Sequence, residues 1–216
     1  MRAYSVTDNI CLRADKLLRF LSGNLSLLEQ HRENPASKIP ETKSTLTPSE
    51  IKHVASFMRV NYTGEVCAQA LYQGQALTTK NHELRVKLEN AGLEEQDHLY
   101  WCQSRIHDLN SHVSYLNPVF YAGSLLLGMA AGAFGDEWNL GFLQETENQV
   151  VKHLEYHLKN LPEQDTKTKV ILETMRQEEQ SHAGVAKNAG AKELPLVIKK
   201  LMSLVSKIMT KTTYWI

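Results

Sequence analysis

Apolar residues recur along this chain at helical spacing, and the repeats mark out a succession of helices. Ile10, Leu17, Leu18 and Leu21 predict a short amphipathic helix near residues 7–22 that stops before Gly23, and the polar stretch Glu33 to Thr47, with Pro35 and Pro40, reads as a linker. A long helix is predicted from Pro48 to about Ala76. It sets Met58, Tyr62, Glu65, Ala68 and Tyr72 on one face, the side expected to point inward. A second, from about Asn81 to Asp108, aligns Leu88, Ala91, Glu95, His98, Leu99 and Cys102. A fourth, from about Asp136 to Asn160, aligns Leu140, Leu143, Glu147, Val150, Val151 and Leu154, and Leu161-Pro162 ends it. A fifth, from about Asp165 to Ala189 with Gly190 as its stop, puts Glu179 and His182 beside Leu172, Met175, Ala183 and Ala186.

Two segments break this amphipathic rule. No Asp, Glu, Lys or Arg lies between Asp108 and Asp136, and Pro118 to Phe134 is apolar or small throughout. Asn117-Pro118 is a helix start, and Gly128-Met129-Ala130-Ala131-Gly132 allows a second helix to come close. Seventeen residues sit at the short limit for a membrane span, so the segment is either a buried crossover between helix pairs or a surface laid against a bilayer. Leu194 to Ile216 mixes Leu196, Val197, Leu201, Leu204, Val205 and Ile208 with Lys199, Lys200, Lys207 and Lys211 and contains no acid. It reads as a basic amphipathic helix that rests on an anionic membrane or packs on the bundle. The expected architecture is all-α: a four-helix bundle with additional N-terminal, crossover and C-terminal helices. One domain is expected over 1–216, divided as 1–46, 47–190 and 191–216.

Charge changes the picture little. Twenty-four basic and 24 acidic residues cancel, which gives no argument for nucleic acid. Residues 1–20 lack the apolar core of a secretory signal, and Asp8 and Asp15 fit an organelle-targeting peptide badly. Three cysteines (Cys11, Cys67, Cys102) without a Cys-x-x-Cys suit reduced thiols, with Cys102 either a small buried filler or a neighbour of the site below.

The chemistry lies in a repeat. Glu94-Glu95-Gln96-Asp97-His98 returns as Glu178-Glu179-Gln180-Ser181-His182, each with a Glu three positions before a His. On a helix that offset puts both side chains on one face, where a carboxylate and an imidazole can share a metal ion. A bundle holding two such pairs needs one further glutamate from each of two other helices. Glu65 and Glu147 stand 30 and 32 residues ahead of Glu95 and Glu179, so the halves repeat at an offset of 82 to 84. Glu50-Ile51-Lys52-His53 also fits the pattern, but Thr47-Pro48-Ser49-Glu50 reads as a capping box instead. Four carboxylates and two neutral imidazoles carry a charge of minus four, which two Fe(II) ions balance; mixed oxygen and nitrogen ligation suits iron or manganese. Buried carboxylates are costly without a compensating charge. Structural salt bridges are the rival explanation, with Arg176 the main candidate. Removing the metal is expected to lower thermal stability.

Arg59-Val60-Asn61-Tyr62-Thr63-Gly64-Glu65-Val66-Cys67-Ala68-Gln69-Ala70-Leu71-Tyr72-Gln73-Gly74-Gln75, taken with the two Glu-x-x-His pairs, resembles the demethoxyubiquinone hydroxylase family of ubiquinone biosynthesis, its bacterial branch in particular. The likeness covers nearly the whole chain. It implies a ferritin-like di-iron monooxygenase that uses O2 to hydroxylate the ring of a polyprenylated methoxy-methyl-benzoquinol. Residue by residue, the implied ligands of two irons are Glu65, Glu95, His98, Glu147, Glu179 and His182, with Glu145 a competitor for the place of Glu147 and no catalytic group beyond them. Tyr62, Tyr72 and His153 are candidates for the substrate pocket. Tyr62 departs from the histidine the family leads one to expect, although no ligand is lost.

The resemblance also gives the two membrane-like segments a use, as an apolar mouth through which a bilayer-held polyprenyl quinol enters. It implies a peripheral protein on the cytoplasmic face of the bacterial membrane, in the company of other ubiquinone-biosynthesis proteins. The reductant stays open; NADH is a candidate, without a Gly-x-Gly-x-x-Gly fingerprint behind it. His153 and His157, four apart, offer a separate zinc pair without a third ligand. The competing classes are a ferritin-like iron store, another di-iron oxidase or desaturase, and a membrane-associated scaffold with structural metal.

Overall fold

The structure, a computed structural model, describes residues 32–41 and 45–216; the helix expected at 7–22 lies outside them. Six helices and no strand occur among the described residues: α1 (Pro48–Thr78), α2 (His82–Asp108), α3 (Asn117–Ala133), α4 (Asp136–Asn160), α5 (Thr166–Asn188) and α6 (Leu196–Thr213). Local chemistry sets their ends. Thr47 caps α1 and Glu50 reaches back to the Thr47 amide at 2.7 Å, the reciprocal capping box, with Pro48 in the first turn. Asn81 caps α2 by accepting from the Glu83 and Leu84 amides, and Asp165 caps α5 through the Thr168 amide. Gly190, with φ of 98°, turns the chain after α5 in the left-handed region that glycine tolerates.

Short loops join α1 to α2 and α4 to α5, so each pair packs as an antiparallel hairpin. The two hairpins form the ferritin-like four-helix bundle, and α3 crosses from one to the other along α1. The crossing is close. A Cβ placed on Gly128 would stand 2.2 Å from the Leu71 carbonyl oxygen, and one on Gly74 2.2 Å from that of Leu125. Only this glycine side of α3 meets the bundle. Asn117, Gly128 and Gly132 are its buried residues, while Val119, Leu126 and Phe134 are largely exposed. The segment is therefore a crossover but not a buried one. Among the described residues, no helix is long and apolar enough to cross a membrane.

The polar stretch before α1 is likewise less loose than its composition predicts. Ala36 is fully buried against the core, Arg32 binds Asp97 and Glu178, and Glu41 pairs with Arg105 and Lys167. At the far end, α6 buries little of itself but is tied down after its last turn. Arg59 Nη1 donates to the Tyr214 carbonyl at 3.1 Å, and the Tyr214 hydroxyl lies 2.6 Å from His53 Nδ1.

The core divides in two. One apolar cluster joins Met58, Tyr62 and Val66 to Leu99, Cys102, Leu154 and Met175; the other joins Ala68, Tyr72 and Ala76 to Leu84, Leu88 and Leu140. On α1, α2 and α4 the changeover falls around Glu65, Glu95 and Glu147. A layer of acid separates two layers of hydrocarbon.

Candidate metal centre

The structure brings all six predicted side chains into that layer. Glu65 comes from α1, Glu95 and His98 from α2, Glu147 from α4, and Glu179 and His182 from α5. Their ligand atoms fall into two groups of four, each within 4.8 Å: Glu65, Glu95, His98 and Glu179, then Glu95, Glu147, Glu179 and His182. Glu95 and Glu179 belong to both groups, as bridging carboxylates must. All are buried except His182, which is half-buried. Glu145 stays outside, bonded to Gln149 at 2.8 Å. Arg176 meets Glu173 rather than any carboxylate of the layer, so the salt-bridge explanation lacks its cation.

Each histidine turns Nδ1 to the centre. His98 Nδ1 is 2.8 Å from Glu95, 3.0 Å from Glu179 and 3.8 Å from Glu65; His182 Nδ1 is 3.3 Å from Glu95 and 3.6 Å from Glu179. The outer nitrogens are held across the bundle. His98 Nε2 meets Glu178 at 2.8 Å and His182 Nε2 meets Glu94 at 3.0 Å. Each repeat's histidine is thus oriented by the extra glutamate of the other repeat, a contact that fixes ring tautomer and raises ligand basicity. Arg32 then binds Glu178 through two nitrogens, both at 2.9 Å. The doubled Glu-Glu of both motifs carries this signal, but the sequence reading assigns a role only to the second glutamate of each pair, Glu95 and Glu179. Arg32 lies one residue before the stretch that composition marks as linker.

The donor set fits a pair of metal ions. Both oxygens of Glu147 and of Glu179, Oε1 of Glu95 and Nδ1 of His182 are buried without a hydrogen-bond partner, a concentration of unmet lone pairs that cations satisfy. Without them the layer holds protons. Burial, then the neighbouring Glu179 and Glu95 charges, push Glu65 well above the usual carboxylate range, and burial beside Glu179 does the same to Glu147. Burial lowers the affinity of both imidazoles for a proton, yet the carboxylates outweigh it. His98 is raised well above its ordinary value and His182 is raised to about 10. Burial also disfavours ionised Glu179, but the His182 and His98 imidazoles close beside it outweigh that and keep it below the usual range. Proton uptake by these groups and binding of divalent cations offset the same concentration of negative charge. Among the described residues, the groups that could hold a metal are these two alone, and His153 with His157 acquires no third ligand.

Beside the layer opens a cavity of about 260 Å³, walled by α1, α3, α4 and α6. Glu65 reaches it, so one carboxylate of the layer faces a space the size of a substituted ring. The rest of the wall is mostly apolar, with Val60, Leu71, Phe120, Leu127, Phe142 and Leu201 among its residues. His153 lines it; burial lowers this imidazole to about 4, which keeps it neutral. Tyr62 and Tyr72 do not line it. They are buried in the core, Tyr62 in one apolar cluster and Tyr72 in the other. Cys102 packs with Met175 in the core. Leu127, Leu201 and Val205 both line the cavity and face outward, which marks its mouth between α3 and α6.

With this geometry in place, comparison with known proteins is specific. The family described as Ubiquinone biosynthesis protein COQ7 matches residues 52–213. The chain is 49% identical over 216 residues to the 3-demethoxyubiquinol 3-hydroxylase of Acinetobacter baylyi, covering 100% of both chains. It is 50% identical over 216 residues to that of Azotobacter vinelandii, covering 99% of this chain and 97% of the relative. It is 48% identical over 210 residues to that of Polynucleobacter necessarius, covering 97% and 99%.

Proposed function

The chain belongs to the COQ7 family of ubiquinone biosynthesis proteins, the demethoxyubiquinone hydroxylases, and from that premise we propose that it hydroxylates the ring of a polyprenylated demethoxyubiquinol with O2 at a di-iron site. The observation that carries the reading is the layer itself: two overlapping four-ligand groups that share Glu95 and Glu179, opening through Glu65 into a ring-sized cavity. Glu65 and His98 would hold one iron, Glu147 and His182 the other, and the two shared glutamates both. Held there, two Fe(II) ions would supply two-electron chemistry with O2. Placing one oxygen on the ring and releasing the other as water takes that one pair of electrons and two protons, and NADH is the candidate for restoring the pair.

The chain's own residues do the rest. Glu178 and Glu94 hold the imidazoles in register across the bundle. Apolar walls exclude water from the ring and the layer beneath it, which strengthens every electrostatic contact there. The mouth between α3 and α6 is wide enough in chemistry, being aliphatic, to let an isoprenoid tail lie outside while the ring lies within.

The same mouth supports a membrane reading. Val119 and Leu126 on α3 and Phe134 just beyond it, with Leu196, Val197, Leu204 and Trp215 on or just beyond α6, expose apolar surface around it, and Lys200, Lys207 and Lys211 are exposed on α6. Such a rim suits an anionic bilayer holding the substrate's tail, with the protein peripheral on the cytoplasmic face.

Single turnover tests the reaction. The chain is loaded with two Fe(II), given a short-tailed demethoxyubiquinol and O2, and the product is weighed by mass spectrometry. A gain of one oxygen that Glu179→Ala abolishes is expected; oxidised iron with unmodified quinone would refute the hydroxylase and leave an oxidase or an iron-binding protein.

A further inference from the structure

Asn61 sits on α1 one turn before Glu65, lines the cavity and is 3% exposed. Its Nδ2 faces Met58 Sδ at 3.8 Å. A thioether can only accept, so the amide is oriented with Oδ1 away from it, and that oxygen is buried with no hydrogen-bond partner. His153 Nε2 is buried and unpartnered in the same way. The ring of Phe57 stacks on that of His157 at 3.9 Å between centroids, which fixes the antiparallel register of α1 against α4. One turn on from Phe57 is Asn61, and one turn back from His157 is His153. The two polar groups therefore share a level of the cavity, between the aromatic stack and the carboxylate layer.

We propose that Asn61 is a specificity-determining residue that selects the reduced ring: its Oδ1 accepts a hydrogen bond from a ring hydroxyl, so the cavity takes quinol in preference to quinone. This rests on the reading of the chain as a quinol hydroxylase. A quinol oxygen carries a proton to donate; a quinone oxygen has only lone pairs and would oppose those of Asn61 across a water-poor space. His153 does not discriminate in this way, because a neutral imidazole nitrogen either donates or accepts according to tautomer. The selection has a chemical use. The hydroxylated ring must be electron-rich, and binding the quinone would fill the cavity with a form that cannot react.

The test is equilibrium binding to the full chain loaded with redox-inert Zn(II), under anaerobic conditions. The probes are short-tailed demethoxyubiquinol, its quinone, and the di-O-methyl ether of the quinol, which keeps the ring but has no hydroxyl to donate. One hydrogen bond in such a site predicts about a tenfold preference for the quinol over the quinone. The ether should bind the unaltered protein no better than the quinone does, a measurement that needs no variant. Asn61→Leu, nearly isosteric, should bring quinol and quinone within about twofold, by weakening quinol binding and by relieving the lone-pair opposition to the quinone. Equal binding of quinol and quinone by the unaltered chain, or a preference that survives in Asn61→Leu, would overturn the role of Asn61 and leave the hydroxylase reading standing. Failure of all three probes to bind would overturn that reading and this inference together.

Discussion

The seam between α1 and α3 gives a stability prediction of known sign. In Gly128→Ala the new methyl would be built 2.2 Å from the Leu71 carbonyl oxygen and 2.9 Å from two further backbone atoms of Leu71. Ordinary C···O contact begins near ~3.3 Å, so the helices must separate by about 1 Å along their line of contact. The obstacle is backbone on both sides and no side chain can swing aside. Overpacking of this kind costs about 1–3 kcal/mol, and the better helix propensity of alanine offsets up to ~1 kcal/mol of it. A net loss of roughly 1–2 kcal/mol lowers Tm by roughly 2–8 °C for a chain of this size. Gly123→Ala, five residues earlier on the same helix, is the control. A Cβ there meets nothing within 4 Å, so only the propensity gain applies and Tm should rise by about 2–4 °C. Scanning calorimetry on the two variants side by side is the assay. A Gly128→Ala protein as stable as Gly123→Ala would refute the close approach, and with it the placement of α3 that sets Phe120 and Leu127 in the cavity wall.

Four further outcomes are expected. Adding two Fe(II) per chain to metal-free protein at pH 7 should release protons, that of His182 among them, readable with a pH indicator in weak buffer; no release would contradict the raised affinity of the layer for protons. In the metal-free chain the raised His182 contributes stability that is full below its unfolded pKa of about 6.5 and fades as pH rises towards about 10. Metal, which takes neutral imidazole, lacks that dependence, so the Tm gap between loaded and metal-free protein should widen from pH 7 to 9, and a gap that narrows would sink the assignment. Glu178→Ala strips His98 Nε2 of its partner without removing a ligand and should weaken metal affinity by about 10–100-fold in a chelator competition, against no change if the contact is incidental. The protein should also sediment with anionic liposomes at low salt and less so at high salt; indifference to liposomes under both conditions would refute the bilayer reading of the α3–α6 rim.

How much of this was written in the sequence depends on whether the deciding contacts are local. Helix limits were: Thr47 to Glu50, Asn81, Asp165 and Gly190 act within one turn of themselves, and the bounds of α4 coincide with the periodic stretch. The convergence of Glu65, Glu95, His98, Glu147, Glu179 and His182 was legible as well, because a repeated pattern constrains what long-range packing can do with it. Tyr62 and Tyr72 were harder. Helix α1 is packed on several sides, with residues as different in direction as Asn61, Tyr62 and Thr63 all buried, so its periodicity could not say which face was core and which was cavity. Arg32 was hidden for another reason: its partners lie 65 and 146 residues away, and nothing local distinguishes it from a solvated linker arginine. The exposed side of α3 could not be foreseen from composition, since an apolar helix reads alike whether protein or lipid covers it.

The crossed contacts of the two histidines bear on how the halves of this chain relate. Counted from their repeats, Glu94 and Glu178 are equivalent, as are His98 and His182, each 84 residues apart. Yet His98 is completed by Glu178 and His182 by Glu94, so neither hairpin alone finishes the bonding of its own imidazole. The bundle is an exchange, in which each half lends the other the group that aims its ligand. Cut in the crossover, the chain would give two fragments that need one another to seat a metal, and substitutions in one repeat would be tolerated only in step with the other.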